Sequence, residues 1–409
     1  MFGRRVATLK LASTITILLM SSGGAAWAAQ RSDLPTREIS VTPSVRIEYD
    51  SNVYGVNKAF IPAGNGTRDD LHIAPGVGFD LQMPFSRQAL YLNGSVGYDF
   101  YKNNSTLNRE RLDINGGARL NLLGCSPTID GTYTRMLSNR YALISVDQID
   151  NTETHRAIGT TFNCGGPLGL TYGGNYRHEN VTNSLAPLKI LNYNSDSFGG
   201  NIGYTRPTFG TLLLYGNYNK LSYPNRQYII GGTDIVDDGA KIYSAGVSFE
   251  RNIGSRITGK VSAGYTWVTP KLPLSPKFHG ASYALNVTAR PIDALQIDAI
   301  ASRSASASNL ADVAYTITDL YSLQGNYTFS RSLSAQLGAS YQKQNMNGSP
   351  VITPFSQADY DFWTANGGLR YTWRKLTFST DVSHTRRNSR ILFQRYNDTR
   401  IGFGVSLGL

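Results

Sequence analysis

Behind its first forty residues the chain repeats one pattern. Apolar and polar residues alternate for about 11 positions at a time. At the C-terminus Ile401, Phe403, Val405, Leu407 and Leu409 fall on one face, and Arg400, Gly402, Gly404, Ser406 and Gly408 on the other. Leu333 to Gln342, Arg256 to Trp267 and Leu90 to Phe100 repeat it. A period of two predicts extended strands, because successive side chains leave a strand on opposite sides. The segments exceed the roughly five or six residues usual for a soluble strand. Their polar face is built from Gly, Ser, Thr, Asn and Gln with scattered charge. Tyrosine and tryptophan gather at segment ends, as at Tyr265 and Trp267, Tyr341, Tyr371 and Trp373. An apolar outside, a polar inside and aromatic rims are the pattern of a membrane β-barrel.

The N-terminus supports that reading. Arg4, Arg5 and Lys10 precede the apolar run Leu11–Met20, and small residues end in Ala26-Trp27-Ala28. This is an export signal with expected cleavage after Ala28. Behind it no run reaches the roughly 18 apolar residues that a membrane helix needs. Residues 29–39 read as a periplasmic lead-in and 40–409 as the barrel. Charged residues make up 16% of the chain, below the roughly 25% of soluble domains, with no compensating apolar gain. The formal charge of +11 includes three positive charges in the signal, so the mature chain is basic.

Alternating short and long connections give the strand count. Short periplasmic turns are expected at Pro84–Gln88, Leu122–Ser126, Asn163–Leu168, Thr205–Gly210, Arg251–Ser255, Arg290–Asp293, Ser330–Ser332 and Arg374. Long outer connections are expected at Gly55–Asp70, Lys102–Asn108, Ser138–Asp150, Asn180–Asn194, Ser222–Asp237, Thr269–Lys277, Ala307–Tyr315, Gln344–Asp359 and Asn388–Gln394. The fold class is therefore all-β, an antiparallel up-and-down barrel of about 18 strands. Sixteen is the alternative, because residues 126–162 alternate poorly.

Cys125 and Cys164 fall in the second and third short turns, where neighbouring strand ends meet. In an oxidising compartment they are expected to form a disulfide. The five histidines, His72, His155, His178, His279 and His384, show no metal-ligand spacing. No HExxH, GxSxG or Walker A pattern occurs. We therefore expect no catalytic residues, no metal and no cofactor. Parity places Arg46, Glu48, Asp50, Asp80, Asp99, Arg111, Asp113, Arg119, Arg177, Arg256 and Lys260 on the lumen side. They either set a transverse field in a pore or brace the wall as ion pairs. Arg386, Arg387, Arg390 and Arg395 make the last outer loop and its shoulders basic, suited to lipopolysaccharide phosphates or an anionic polymer.

One segment is distinctive. Tyr49-Asp50-Ser51-Asn52-Val53-Tyr54 ends the first strand, with Asp70-Leu71 and Pro75-Gly76 in the second. Ser86-Arg87-Gln88 makes the first turn, before Tyr98-Asp99-Phe100-Tyr101. This resembles the putative β-barrel porin 2 family, whose early Tyr-Asp-x-Asn segment is matched at Tyr49, Asp50, Asn52 and Tyr54. The resemblance covers about residues 40–115. It implies an outer-membrane barrel, often linked with exopolysaccharide secretion, and no catalytic residues. The chain departs from the usual barrel ending, finishing in Leu409 rather than Phe or Trp.

The leading expectation is a channel for hydrophilic solute or secreted polysaccharide. Its expected partners are outer-membrane lipid and lipopolysaccharide, the barrel assembly machinery, and polysaccharide or periplasmic export proteins, with no nucleic acid. The alternatives are a non-conducting structural or adhesion barrel and, least favoured, a barrel enzyme. A loop plugging the lumen, such as Ser222–Asp237 or Asn180–Asn194, would separate the first two.

Overall fold

The computed structural model describes residues 37–60, 67–122, 124–138, 151–230, 234–272, 275–308, 313–348 and 359–409. The signal segment, its expected cleavage site and residues 29–36 of the lead-in lie outside the described residues. Eighteen strands follow one another. They are β1 (Glu38–Asp50), β2 (Asp70–Phe85), β3 (Gln88–Tyr101), β4 (Arg109–Arg119), β5 (Thr128–Leu137) and β6 (Thr152–Gly165). Next come β7 (Gly169–Asn183), β8 (Tyr193–Arg206), β9 (Gly210–Ile230), β10 (Asp234–Ile253), β11 (Ile257–Pro270) and β12 (Phe278–Ile292). The last are β13 (Leu295–Ala307), β14 (Val313–Thr328), β15 (Leu333–Gly348), β16 (Tyr360–Trp373), β17 (Leu376–Ser389) and β18 (Tyr396–Leu407).

Each strand pairs antiparallel with its neighbours in sequence, and β1 pairs with β18 from Ser44↔Ser406 to Asp50↔Arg400. The sheet closes on itself and leaves no edge strand, which a bilayer would not tolerate. The eighteen-strand expectation holds and the sixteen-strand alternative does not, because β5 and β6 form and pair despite their irregular sequence. The side chains divide as the alternation predicts. Ile39, Val41, Val45 and Ile47 of β1 are exposed on the outside, as are Ile401 and Phe403 of β18. Outward aromatics mark two rims, with Tyr218, Tyr243, Trp267 and Trp363 on one and Phe209, Tyr327, Tyr371 and Trp373 on the other.

Short turns hold one end tightly. Ser86 and Arg374 open two-residue hairpins with φ of 54° and 55°, the sense of rotation that matches strand twist. Cys125 and Cys164 are bridged by a disulfide at that end. It staples the β4–β5 turn to the end of β6, where Cys125 and Cys164 also meet as an isolated bridge. The bridge spans 39 residues of sequence, so cross-linking restricts the unfolded chain by about 2–4 kcal/mol. We expect the Cys125→Ser/Cys164→Ser variant to fold as a barrel but to unfold at lower temperature, measured by circular dichroism during heating.

Three expectations need correction. Strands run from 10 residues in β5 to 21 in β9 rather than about 11 throughout. Most of Ser222–Asp237 is strand: β9 runs to Ile230 and β10 starts at Asp234, paired as at Asp237↔Gln227 with one bulge at Asp237/Asp238, and residues 231–233 lie outside the described residues. Asn180–Asn194 is shorter than expected. Its strands reach Asn183 and Tyr193, and a short 3-10 helix, Ala186–Leu191, fills the connection.

Candidate functional site: the inner wall and the outer mouth

On the inner wall, arginines meet carboxylates. Arg46 donates from both terminal nitrogens to the two Asp381 oxygens, each at 2.7 Å, and its Nε donates to Glu48 at 3.0 Å. To do so it lies across β18. A Cβ on Gly402 would stand 2.1 Å from an Arg46 nitrogen, so glycine there makes the crossing possible. Arg111 pairs with Asp99 at 3.0 Å and Arg177 with Asp130 at 3.1 Å. Arg400 reaches Asp50 at 3.0 Å and Asp398 at 2.8 Å. Asp50 and Asp398 are buried, whereas Arg46, Arg111 and Arg177 and their partners are part-exposed, so each of those pairs adds only about 0–1 kcal/mol of stability. Their larger effect is electrostatic, fixing where charge faces the lumen.

The other expected lumen residues are placed as follows. Arg119 lies over the Tyr91 ring at 4.8 Å, which covers a face that could otherwise stack on a sugar. Lys260 stands opposite Glu250 on the neighbouring strand. Asp113 faces inward opposite Ser95, and Asp80 opposite Ser40 and Asn93. One Asp80 oxygen is buried with no hydrogen-bond partner. Arg256 departs from expectation. It belongs to the turn before β11 and donates to the Pro291 carbonyl at 2.9 Å, so it marks the rim and not the wall. The four arginines at the last outer loop do not form one patch. Arg387 is buried inside, over the Tyr360 and Phe362 rings and bonded to Gln394, because strand parity turns it inward. Arg386 shares the outward face with Trp363. Arg390 is exposed in the loop, and Arg395 donates to the Ser389 carbonyl.

The Tyr49–Tyr54 motif builds the first loop rather than a binding site. Tyr49 points outward, while Asp50 accepts the Asn52 backbone N–H at 2.7 Å. Asn52 is fully buried and donates to the Val56 carbonyl at 2.9 Å. Tyr54 donates to the Asn104 side chain. Burial, and then nearby Asp70, hold its phenol above the ordinary pKa. Val53, Tyr54 and Val56 pack on Leu107 against Tyr101 and Leu137, so this loop folds over the end of the β3–β5 wall.

The main obstruction comes from elsewhere. β12 begins at Phe278 and β13 ends at Ala307, yet their pairing stops at Tyr283↔Arg303. The outer end of β13, still paired with β14, therefore leaves the wall. Ala305, Tyr315 and Ile317 of this hairpin pack on Leu221, Ala240, Ile242 and Val268, which lie on the inner face of β9–β11. Farther on, Ala307 contacts the cluster of Val181, Tyr193 and Tyr223 on β7–β9. The Tyr223 hydroxyl donates to the Ser308 carbonyl at 3.3 Å and accepts the Ser308 N–H at 2.9 Å. Contacts between strands so far apart in the sheet require the β13–β14 hairpin to fold across the outer mouth.

One arginine fastens it. Arg226 and Asp238 form an ion pair at 3.3 Å with both side chains at 0% exposure. Arg226 also donates to the carbonyls of Val313 at 3.1 Å and Ile190 at 2.7 Å, and lies 3.8 Å over the Tyr223 ring. It thus ties the β9–β10 hairpin, the 3-10 helix connection and the inward hairpin together. Sequence reasoning missed this role, since Arg226 sits among turn-forming residues in what reads as a polar loop. The inward element is the pair of strand ends that flank the expected Ala307–Tyr315 connection, whose residues 309–312 lie outside the described residues. It is neither Ser222–Asp237 nor Asn180–Asn194, although both supply its anchors.

No group of three or more metal ligands occurs among the described residues. The putative beta-barrel porin 2 family model matches residues 237–408. This is about two-fifths of the chain, from within β10 to β18, and not the segment whose motif carries the resemblance. No curated protein matches the sequence. Among solved structures, the chain is similar to OccK2 (OpdF) of Pseudomonas aeruginosa. Identity is 11%, coverage 91% of this chain and 98% of that one, and the TM-score 0.46. It is also similar to Pseudomonas aeruginosa OpdK, solved with vanillate, at 13% identity, coverage 91% and 99% and TM-score 0.45. The siderophore receptor PirA from Acinetobacter baumannii matches at 10% identity, coverage 90% and 80% and TM-score 0.46.

Proposed function

We propose that this chain, an outer-membrane porin-like barrel matching the putative beta-barrel porin 2 family over residues 237–408, is a channel for hydrophilic solute. In this reading the chain is exported, is cut after Ala28 and serves the secretion of a polysaccharide. The observation that carries the channel is the closed eighteen-strand barrel with a charged, polar inner wall. A barrel of that size encloses an aqueous lumen unless loops fill it. The β13–β14 hairpin takes part of the mouth from the β9–β14 side, which leaves the ion-paired wall of β1–β7 and β16–β18 to line the rest. Because Arg46, Arg111, Arg177 and Arg400 are held by carboxylates, that wall offers a neutral or weakly charged sugar chain hydrogen bonds without strong repulsion.

Two experiments test the two levels. Liposomes carrying the purified chain should swell in small sugars and progressively less in larger ones. No swelling with any sugar would remove the passive channel. A strain lacking the chain should lose secreted polysaccharide and regain it with the intact gene. Unchanged secretion would remove the polysaccharide reading and leave the channel standing.

A further inference from the structure

The outside of β8–β11 carries three cross-strand rows that no part of the channel uses. Nearest the outer surface, Asp196, Lys220 and Lys241 are register partners on adjacent strands. One row inward come Phe198, Tyr218, Tyr243 and Trp267, with neighbouring ring centroids 6.4 Å apart for Phe198–Tyr218 and 4.9 Å apart for Tyr218–Tyr243. The third row is Gly200, Gly216 and Ala245, and with the aromatics it bounds an apolar recess in the wall. A Cβ built on Gly216 meets nothing within 4 Å, and one on Gly200 only a carbonyl oxygen at 3.9 Å. These glycines therefore leave open space rather than admit a neighbouring side chain.

The charge above the recess is unbalanced. Lys220 and Lys241 are exposed and have no ion-pair partner among the described residues. The stem of Lys271, also exposed, lies 3.3 Å from where a Cβ on Gly239 would stand, and Gly239 comes two residues before Lys241 on the same strand face. Asp196, the acid of this row, is engaged by His178 at 2.8 Å and by the Tyr176 hydroxyl at 3.4 Å. Cross-strand like charges repel unless an anion sits between them.

We infer that this face is a binding site for an anionic, acylated lipid of the outer leaflet. Its phosphate is held by Lys220, Lys241 and Lys271, and an acyl chain lies in the recess floored by Gly200, Gly216 and Ala245. The order of the rows fits such a lipid: cations at headgroup depth, aromatics at the interface and an apolar slot below. A second copy of the barrel fits less well, because a two-fold contact would oppose two lysine clusters. The inference rests on the outer-membrane placement and not on the channel.

The test is native mass spectrometry of the full mature chain titrated with bisphosphorylated lipid A. One lipid should be retained per barrel, and the dephosphorylated lipid should bind less tightly. Excess inorganic phosphate should not displace it. K220Q/K241Q/K271Q should weaken binding about tenfold or more. Gly216→Phe, which fills the slot and leaves the lysines, should also weaken it. Arg386→Gln, on the same outward face but distant in the sheet, should bind as the wild type does. Unchanged binding by both the lysine and the Gly216 variants would overturn the site. So would equal weakening by Arg386→Gln, which would mean diffuse attraction. Barrel-to-barrel cross-linking through Gly216→Cys would overturn it too, by assigning the recess to a protomer contact.

Discussion

Arg226→Ala should open the outer mouth and raise single-channel conductance severalfold. The substitution removes the Asp238 pair, the Val313 and Ile190 hydrogen bonds and the ring contact with Tyr223 in one step. It also leaves the Asp238 carboxylate buried without its guanidinium. Removing one partner of a buried pair typically costs about 3–5 kcal/mol. That cost falls on the outer lobe, since the membrane-embedded ladder does not depend on it. The inward hairpin then loses the Arg226 anchor at Val313 and keeps its apolar packing, the Tyr223–Ser308 bonds, the Tyr315 bond to the Pro276 carbonyl and the β14–β15 ladder. Hydrogen exchange should therefore rise at the outer ends of β9, β10, β13 and β14, while β1–β5 stay protected. Arg226→Met/Asp238→Leu removes both charges together, so it should be closer to wild type in stability than Arg226→Ala. If Arg226→Ala conducts as the wild type does and exchanges no faster, the hairpin is not held in the way described.

Arg46→Ala should move the channel towards cations. Arg46 pairs with two carboxylates at once, Asp381 through two 2.7 Å bonds and Glu48 through Nε. Without it, both acids face the lumen unpaired, and the net charge of this patch changes by one unit. At about 0.1 M salt the screening length is roughly 10 Å, so the effect should be strong in dilute salt and weak near 1 M. The readout is the reversal potential in a salt gradient. Asp381→Asn should shift it the opposite way, because Arg46 then retains only Glu48. Equal reversal potentials in all three proteins would place this cluster away from the ion path.

The wall was legible in the sequence because strand parity is a local property. Arg46, Glu48 and Asp50 alternate with Val45, Ile47 and Tyr49, and the membrane fixes which set faces out. The short turns were equally readable, since Ser86-Arg87 and Arg374-Lys375 interrupt the alternation for two residues only. The cysteine pair followed from those turns. The mouth was not legible, because it depends on contacts between distant strands. Nothing in Ala305, Ala307 or Tyr315 says that β13 stops pairing with β12 at Arg303. Tyr223-Pro224-Asn225-Arg226 reads as a loop because proline and asparagine favour turns. In the structure Asn225 and Arg226 instead donate to the Lys189 and Ile190 carbonyls, so tertiary bonds hold the segment extended. The Lys220–Lys241 pairing was hidden for a related reason. The two residues are ordinary in sequence and become neighbours only through the β9–β10 register.

The lumen should conduct past the inward hairpin. Planar-bilayer recording of the purified mature chain, residues 29–409, tests it most directly. The expected result is stable, salt-dependent current steps that grow when Arg226 is replaced by alanine. A protein shown by circular dichroism to be a folded barrel, yet silent both as wild type and as Arg226→Ala, would contradict it.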